Sequence, residues 1–382
     1  MPIHKSAFSI TITCMSWFRA GAFALAAMVW ATPAVAQGIP GTRAFAEGRN
    51  GWQAIRDGRH QDAAAAFAAA LDAESRDPSL HLGAGLAEYL LGRPTAAQHA
   101  LERALEIGPS LTAASLLLAD ILYRGSDIAG AIQVYEAALQ YAPAEKTVIA
   151  RLEVLRREAA VHSDFLASHG AHFTVLFEGP ADAELAGRAI EILEAAYWRV
   201  STALSIYPER TITVVLYTQE QFRDITRSPQ WAAAAYDGRI RIPVRGADSD
   251  PRELERVIIH EFTHALVQSL APRGVPMWLH EGLAVMFEPS GDEWSQNQLA
   301  HAPARLPLKR LTESFGTLSG AEARLAYAQS AAIVRALFES GGPLAVGAVL
   351  QDIARGDTFA EAFEHRMFMA YDTFIAGLEA AH

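Results

Sequence analysis

Apolar positions between residues 44 and 160 recur with the spacing of paired helices. Small residues fall at Ala63, Ala97 and Ala131, 34 residues apart, and again at Ala70, Ala104 and Ala138. Large side chains stand between them at Phe67, Leu101 and Tyr135. Gly51, Gly85 and Ala119 hold the matching place on the earlier helix of each block, and Gly58, Gly92 and Ser126 mark the turns. Pro109 and Pro143 close the second and third blocks, because proline cannot continue a helix. In the first block Asp77-Pro78 comes three residues late. The small residues let two helices approach, and the large one fills the space towards the next block. These positions therefore read as core packing rather than as a ligand box. The segment Glu145–Val161, with Arg151, Glu153, Arg156, Arg157 and Glu158, predicts a solvated helix capping the last block.

After residue 170 the pattern changes. His172–Phe177 and Thr211–Tyr217 are β-branched and aromatic runs that predict strands. Between them Ala181–Leu204 carries a helical stripe of Ile190, Leu193, Tyr197 and Val200. A short helix is expected from about Gln219. Asp237-Gly238 signals a hairpin. Arg239–Val244 alternates polar and apolar residues and includes Pro243, which predicts an edge strand able to pair with an extended peptide. Asp250–Leu270 predicts a helix, with Ser249 or Asp250 as cap and Pro251 in the first turn. Ala271–Pro276 breaks it, and a second helix starts near Trp278. Pro289–Pro307 reads as a loop rimming a cleft. Helices near Ala321–Ser340, Leu344–Ile353, Thr358–Glu364 and Met367–Leu378 complete a helical lobe.

The first 36 residues read as a signal peptide. A weakly basic start (His4, Lys5, Arg19) leads into the apolar run Ala20–Trp30 and then Ala34-Val35-Ala36, which predicts cleavage after Ala36. No later segment reads as apolar for long enough to cross a bilayer, so no stable span is expected after cleavage. The mature chain is expected outside the cytoplasm, in the periplasm. The 382 residues are 51% hydrophobic and 20% charged, as in globular proteins, and the formal net charge of −11 argues against a nucleic-acid partner. Cys14 is the single cysteine and lies inside the predicted signal, so any metal must be held by histidine and carboxylate.

One stretch carries that chemistry. His260-Glu261-Phe262-Thr263-His264 places two imidazoles about 40° apart, one turn along a 3.6-residue helix, so both point to one spot. Glu261 borders that spot. Zn²⁺ held there lowers the pKa of a water to about 7, and Glu261 is placed to take the proton. A catalytic zinc usually takes three protein ligands. Glu281, 17 residues past His264, lies early on the second helix, where it can face His264.

The 34-residue blocks resemble tetratricopeptide repeats over about 100 residues. His260–His264 followed by Trp278-Leu279-His280-Glu281-Gly282-Leu283-Ala284 resembles the gluzincin zinc metallopeptidases, and more closely the peptidase-MA-like domains attached to tetratricopeptide repeats in bacteria. That resemblance covers roughly Ala171–Ser340. It implies a tetratricopeptide array (44–160) followed by an α+β thermolysin-like zincin domain (171–382) with a small mixed sheet, an H-E-x-x-H helix and a helical C-terminal lobe. It implies zinc ligands His260, His264 and Glu281, and Glu261 as general base. Tyr327, in a Tyr-x-x-Ser segment, is the implied donor to the oxyanion, with Tyr236 the other candidate. His280 stands where aminopeptidase-type relatives usually carry Asn, and reads as a group supporting the ligands. Trp278 reads as a packing anchor between the two helices. A carboxylate behind the zinc histidines is expected, but the Asp that thermolysin-type enzymes place four residues after the ligand Glu is replaced by Val285. The activity implied is peptide-bond hydrolysis on a peptide or protein substrate, with a protein partner on the repeats. Asp237 stands beside Arg239 and Arg241, which favours an endopeptidase over an aminopeptidase. The alternative is a scaffold with a vestigial peptidase domain.

Overall fold

The structure is a computed structural model that describes residues 42–74, 76–179, 182–208, 210–218, 220–222, 235–236, 239–244, 250–302 and 304–380. The predicted signal peptide, residues 1–36, and the Asp237-Gly238 turn lie outside the described residues. The chain divides between Ser163 and Asp164 into two compact units.

Among the described residues the first unit holds seven helices: α1 (Arg43–Arg56), α2 (His60–Ala73), α3 (Pro78–Leu90), α4 (Pro94–Ile107), α5 (Thr112–Arg124), α6 (Ile128–Tyr141) and α7 (Lys146–His162). The repeat positions are its core. Ala63, Ala97 and Ala131 are fully buried, as are Phe67 and Leu101. A Cβ on Gly51 would lie 2.8 Å from the Phe67 ring, and one on Gly85 2.7 Å from Leu101, so the small residue of each first helix makes room for the large residue of the second. Gly58, Gly92 and Ser126 all turn the chain with positive φ, the last without the freedom of glycine. Pro78 opens α3 rather than closing the first block, and Asp77 caps that helix through Ser79 N–H. The expected solvated face of α7 is corrected at one residue. Glu158 is wholly buried and accepts a 2.7 Å hydrogen bond from Tyr123 Oη.

The second unit is built on a five-stranded sheet, ordered β1 (Phe165–His169), β2 (Phe173–Glu178), β3 (Ile212–Tyr217), β5 (Arg239–Pro243), β4 (Ala235–Tyr236). β2, β3 and β5 run parallel; β1 and β4 pair antiparallel at the two ends. The strand β1 starts before the expected domain boundary at 171. Arg239–Val244 is not the edge strand expected. It pairs with β3 on one side and with β4 on the other, and Arg239 and Arg241 are buried. The alternation of residue types was misleading because long side chains can be buried on an interior strand when their charged ends have partners.

Helix α8 (Ala183–Leu204) follows β2 and packs against that strand and against α9 (Pro251–Leu270). Leu193, Val200, Val214, Ile240, Ile258 and Phe262 lie in one core between sheet and helices. Asp250 caps α9, accepting from Arg252 N–H and Glu253 N–H, and Pro251 holds its first position. α10 (Met277–Phe287) comes next, and α11 (Gly291–Ala300) occupies the middle of the segment expected to be loop. After α12 (Leu308–Thr312) comes α13 (Gly320–Arg355), two helical segments meeting at Gly342 (φ 78°) before Pro343. This is the one helix among the described residues long and apolar enough to span a membrane by length and composition, which corrects the expectation that none was. Its Ala326, Ala331, Val334 and Leu337 lie in the core of this unit. α14 (Phe359–Met367) and α15 (Tyr371–Ala380) finish the lobe. Trp278 is fully buried, and its ring also packs against Phe359 and Tyr371 of the tail.

Candidate metal centre

α9 is a core helix whose middle, residues 258–267, is buried except at the partly exposed His260. His260 and His264 stand one turn apart on it. Their Nε2 atoms are 3.1 Å apart. Glu281 Oε2, from the first turns of α10, lies 3.2 Å from His264 Nε2 and 3.6 Å from His260 Nε2. On its other side α10 packs tightly on α13 because Gly282 has no side chain: a Cβ there would lie 2.4 Å from the Ser330 carbonyl oxygen. One small residue thus sets the approach of the helix that carries Tyr327.

The three atoms fit a metal ion. Ligands about 2.0–2.2 Å from a tetrahedral ion stand about 3.3–3.6 Å from one another, and the observed separations run from 3.1 to 3.6 Å. His260, His264 and Glu281 form a ligand group whose donor atoms all lie within 4.8 Å. Glu281 Oε2 is buried and has no well-directed hydrogen-bond donor among the described residues. Two nitrogens and a carboxylate oxygen are donors suited to zinc.

Electrostatics point the same way. Burial pushes the Glu281 carboxyl up, but the His264 and His260 imidazoles outweigh it and hold it below the usual carboxylate range. Burial lowers His260, yet the carboxylates of Glu281 and Glu288 raise it to about 10. The site therefore attracts positive charge. Glu261 is buried beside the ligands at 3% exposure, and burial raises its carboxyl, opposed by His260 and His264. A desolvated carboxylate of this kind is a stronger proton acceptor than one in water. Burial, then the neighbouring His264, lower His280 to about 3, which leaves its ring neutral at physiological pH.

The carboxylate behind the histidines is Glu288, at the C-terminal end of α10. It accepts from His260 Nδ1 at 2.6 Å and from Arg256 Nη1 at 3.2 Å. Nδ1 is then the donor nitrogen, and in the neutral ring Nε2 presents its lone pair to the ligand position. Arg199 of α8 donates to the carbonyl of Phe287, which fixes the chain beside Glu288. The sequence held the signal. Glu288 is seven residues past Glu281 and is the residue that ends the same helix. Replacing Glu288 by Gln is expected to lower zinc affinity about 10–100-fold, the usual cost of losing an outer partner of a ligand. Competition with a chromogenic chelator measures it.

Tyr327 of α13 is buried, with its ring centroid 6.3 Å from that of His260, and Phe315 packs edge-on against it at 5.3 Å. His280 flanks the opposite histidine, its ring 5.8 Å from that of His264. Tyr236 lies on β4, where its backbone pairs with Ile240; its side chain lies outside the described residues.

A family model for the Peptidase MA superfamily matches residues 195–382. Tetratricopeptide repeat models match residues 49–111 and 91–146. The chain is thus a tetratricopeptide array followed by a peptidase-superfamily domain. Among solved structures, the first tetratricopeptide domain of Spaghetti (RPAP3), bound to an HSP90 peptide, is 19% identical; the match covers 31% of this chain and 96% of that one, with a TM-score of 0.30. No curated protein matches the chain.

Proposed function

We propose that the protein is a zinc-dependent peptidase, with an endopeptidase favoured, and that the repeats bring a protein substrate or partner to it. The observation that carries this reading is the meeting of His260, His264 and Glu281 with a buried Glu261 beside them. The three ligands would hold Zn²⁺, whose Lewis acidity lowers the pKa of water to about 7 and polarises a carbonyl. Glu261 takes the proton of the attacking water and delivers it to the leaving amine. Tyr327 donates a hydrogen bond to the oxyanion of the tetrahedral intermediate. Glu288 keeps the His260 ring in register, and Arg256 keeps Glu288 there. The substrate rail expected at Arg239–Val244 moves to Ala235–Tyr236, the strand at this end of the sheet. With the signal peptide expected at residues 1–36, the site of action is the periplasm.

Metal analysis beside an activity assay tests the proposal. The purified protein is expected to carry one zinc per chain and to cleave unfolded β-casein. A chelator should stop cleavage and added Zn²⁺ restore it. Absence of cleavage by zinc-loaded protein would leave the scaffold reading. Tyr327→Phe is expected to lower kcat about 10²–10³-fold, the cost of one oxyanion donor, with zinc content unchanged.

A further inference from the structure

Most hydrogen-bonding groups at the metal centre already have a partner. His260 Nδ1 is held by Glu288, and the two Nε2 atoms and Glu281 face the ligand position. Tyr327 also has an interaction partner. His280 differs. Its ring makes no hydrogen bond with any described residue, and its described contact is the ring of His264, centroid to centroid 5.8 Å at 42°. It is half-buried, whereas its helix neighbours Leu279 and Glu281 are buried. It is also rigidly placed. It sits in the first turns of α10, next to a ligand, and its own N–H bonds to the Pro276 carbonyl at 3.2 Å.

An imidazole carries one donor and one acceptor nitrogen, the complement of a main-chain amide. Leaving that capacity unspent in a half-buried site has a cost unless water or a ligand meets it. The two residues also stand by different ligands: Tyr327 lies next to His260 and His280 next to His264.

We propose that His280 hydrogen-bonds the main chain of the peptide substrate beside His264. It is then a substrate-contacting residue, not one that supports the ligands as its place beside Glu281 first suggested. This assignment rests on the peptidase reading, and the test separates the two.

Binding is measured without turnover, in zinc-loaded Glu261→Gln protein, by anisotropy of fluorescein-labelled unfolded β-casein. Adding His280→Ala is expected to weaken binding about 5–20-fold, the range of one hydrogen bond with a buried partner. Adding His280→Asn, which keeps a donor and an acceptor, should recover most of the loss. In the otherwise wild-type enzyme His280→Ala should raise KM for β-casein in the same proportion. Zinc affinity, from chelator competition, should stay within about twofold, a readout that a merely supporting role for His264 would move. Unchanged casein binding in His280→Ala overturns the proposal, as does a fall in zinc affinity that matches the fall in binding. No casein binding by the Glu261→Gln protein overturns it too. Casein binding that depends on His280, in a wild-type protein that cleaves nothing, would sink the peptidase reading and leave the contact standing.

Discussion

Glu261→Gln is expected to lower the hydrolysis of unfolded protein about 10²–10⁴-fold while the protein keeps its zinc. Glutamine has nearly the volume of glutamate, so the packing of a residue 3% exposed is preserved. What disappears is a group able to accept and return a proton. General acid–base catalysis contributes 10²–10⁴-fold, so an effect in that range assigns the role. Zinc retention is expected because the group able to hold a metal is His260, His264 and Glu281 and does not include Glu261. Metal content and initial rates on one preparation decide the matter. Zinc lost together with activity would make Glu261 a ligand instead of a base. Undiminished hydrolysis with zinc in place would remove it from the mechanism.

Replacing Glu281 by Ala should have the larger effect on the metal. Two imidazoles remain, one ligand short of an ordinary catalytic site, and the buried anionic partner of both rings is lost. Affinity should fall by more than the roughly 10–100-fold that loss of an outer partner costs. Thermal melting reports it independently of activity. A ligand at 1,000 times its Kd stabilises the folded state by about 4 kcal/mol, so zinc should raise the wild-type melting temperature clearly and the Glu281→Ala temperature little. Equal zinc-induced shifts in the two proteins would exclude Glu281 as a ligand. The truncation leaves a cavity of its own, and comparison of each protein with and without zinc separates that cost from the loss of metal.

Much of the architecture was legible because its signals are periodic. A 34-residue period, or histidines one helical turn apart, is a relation between neighbours that any helix converts into shared direction. The cap at Asp250, the proline at position 251 and the break after Leu270 are equally local, and the structure follows them closely. The errors lie where direction depends on distant partners. The alternation of Arg239–Val244 suggested an edge, but strand order is settled by pairing with β3 and β4, not by the strand itself. Glu158 looked solvated because its neighbours are charged; Tyr123, 35 residues earlier, gives it a buried hydrogen bond.

At the metal centre the same division holds. The sequence by itself determined the candidate ligands and base, since one helix, one break and one further helix suffice to name His260, Glu261, His264 and Glu281. Only the tertiary structure decided that the donor atoms of His260, His264 and Glu281 meet within 3.1–3.6 Å, and that Glu288 returns to His260. It also put Tyr327 near His260 and His280 near His264. The physical reason is packing. Helical spacing gives each side chain a direction, but the separation of α10 and α13 is set by the close approach that Gly282 permits against Ser330.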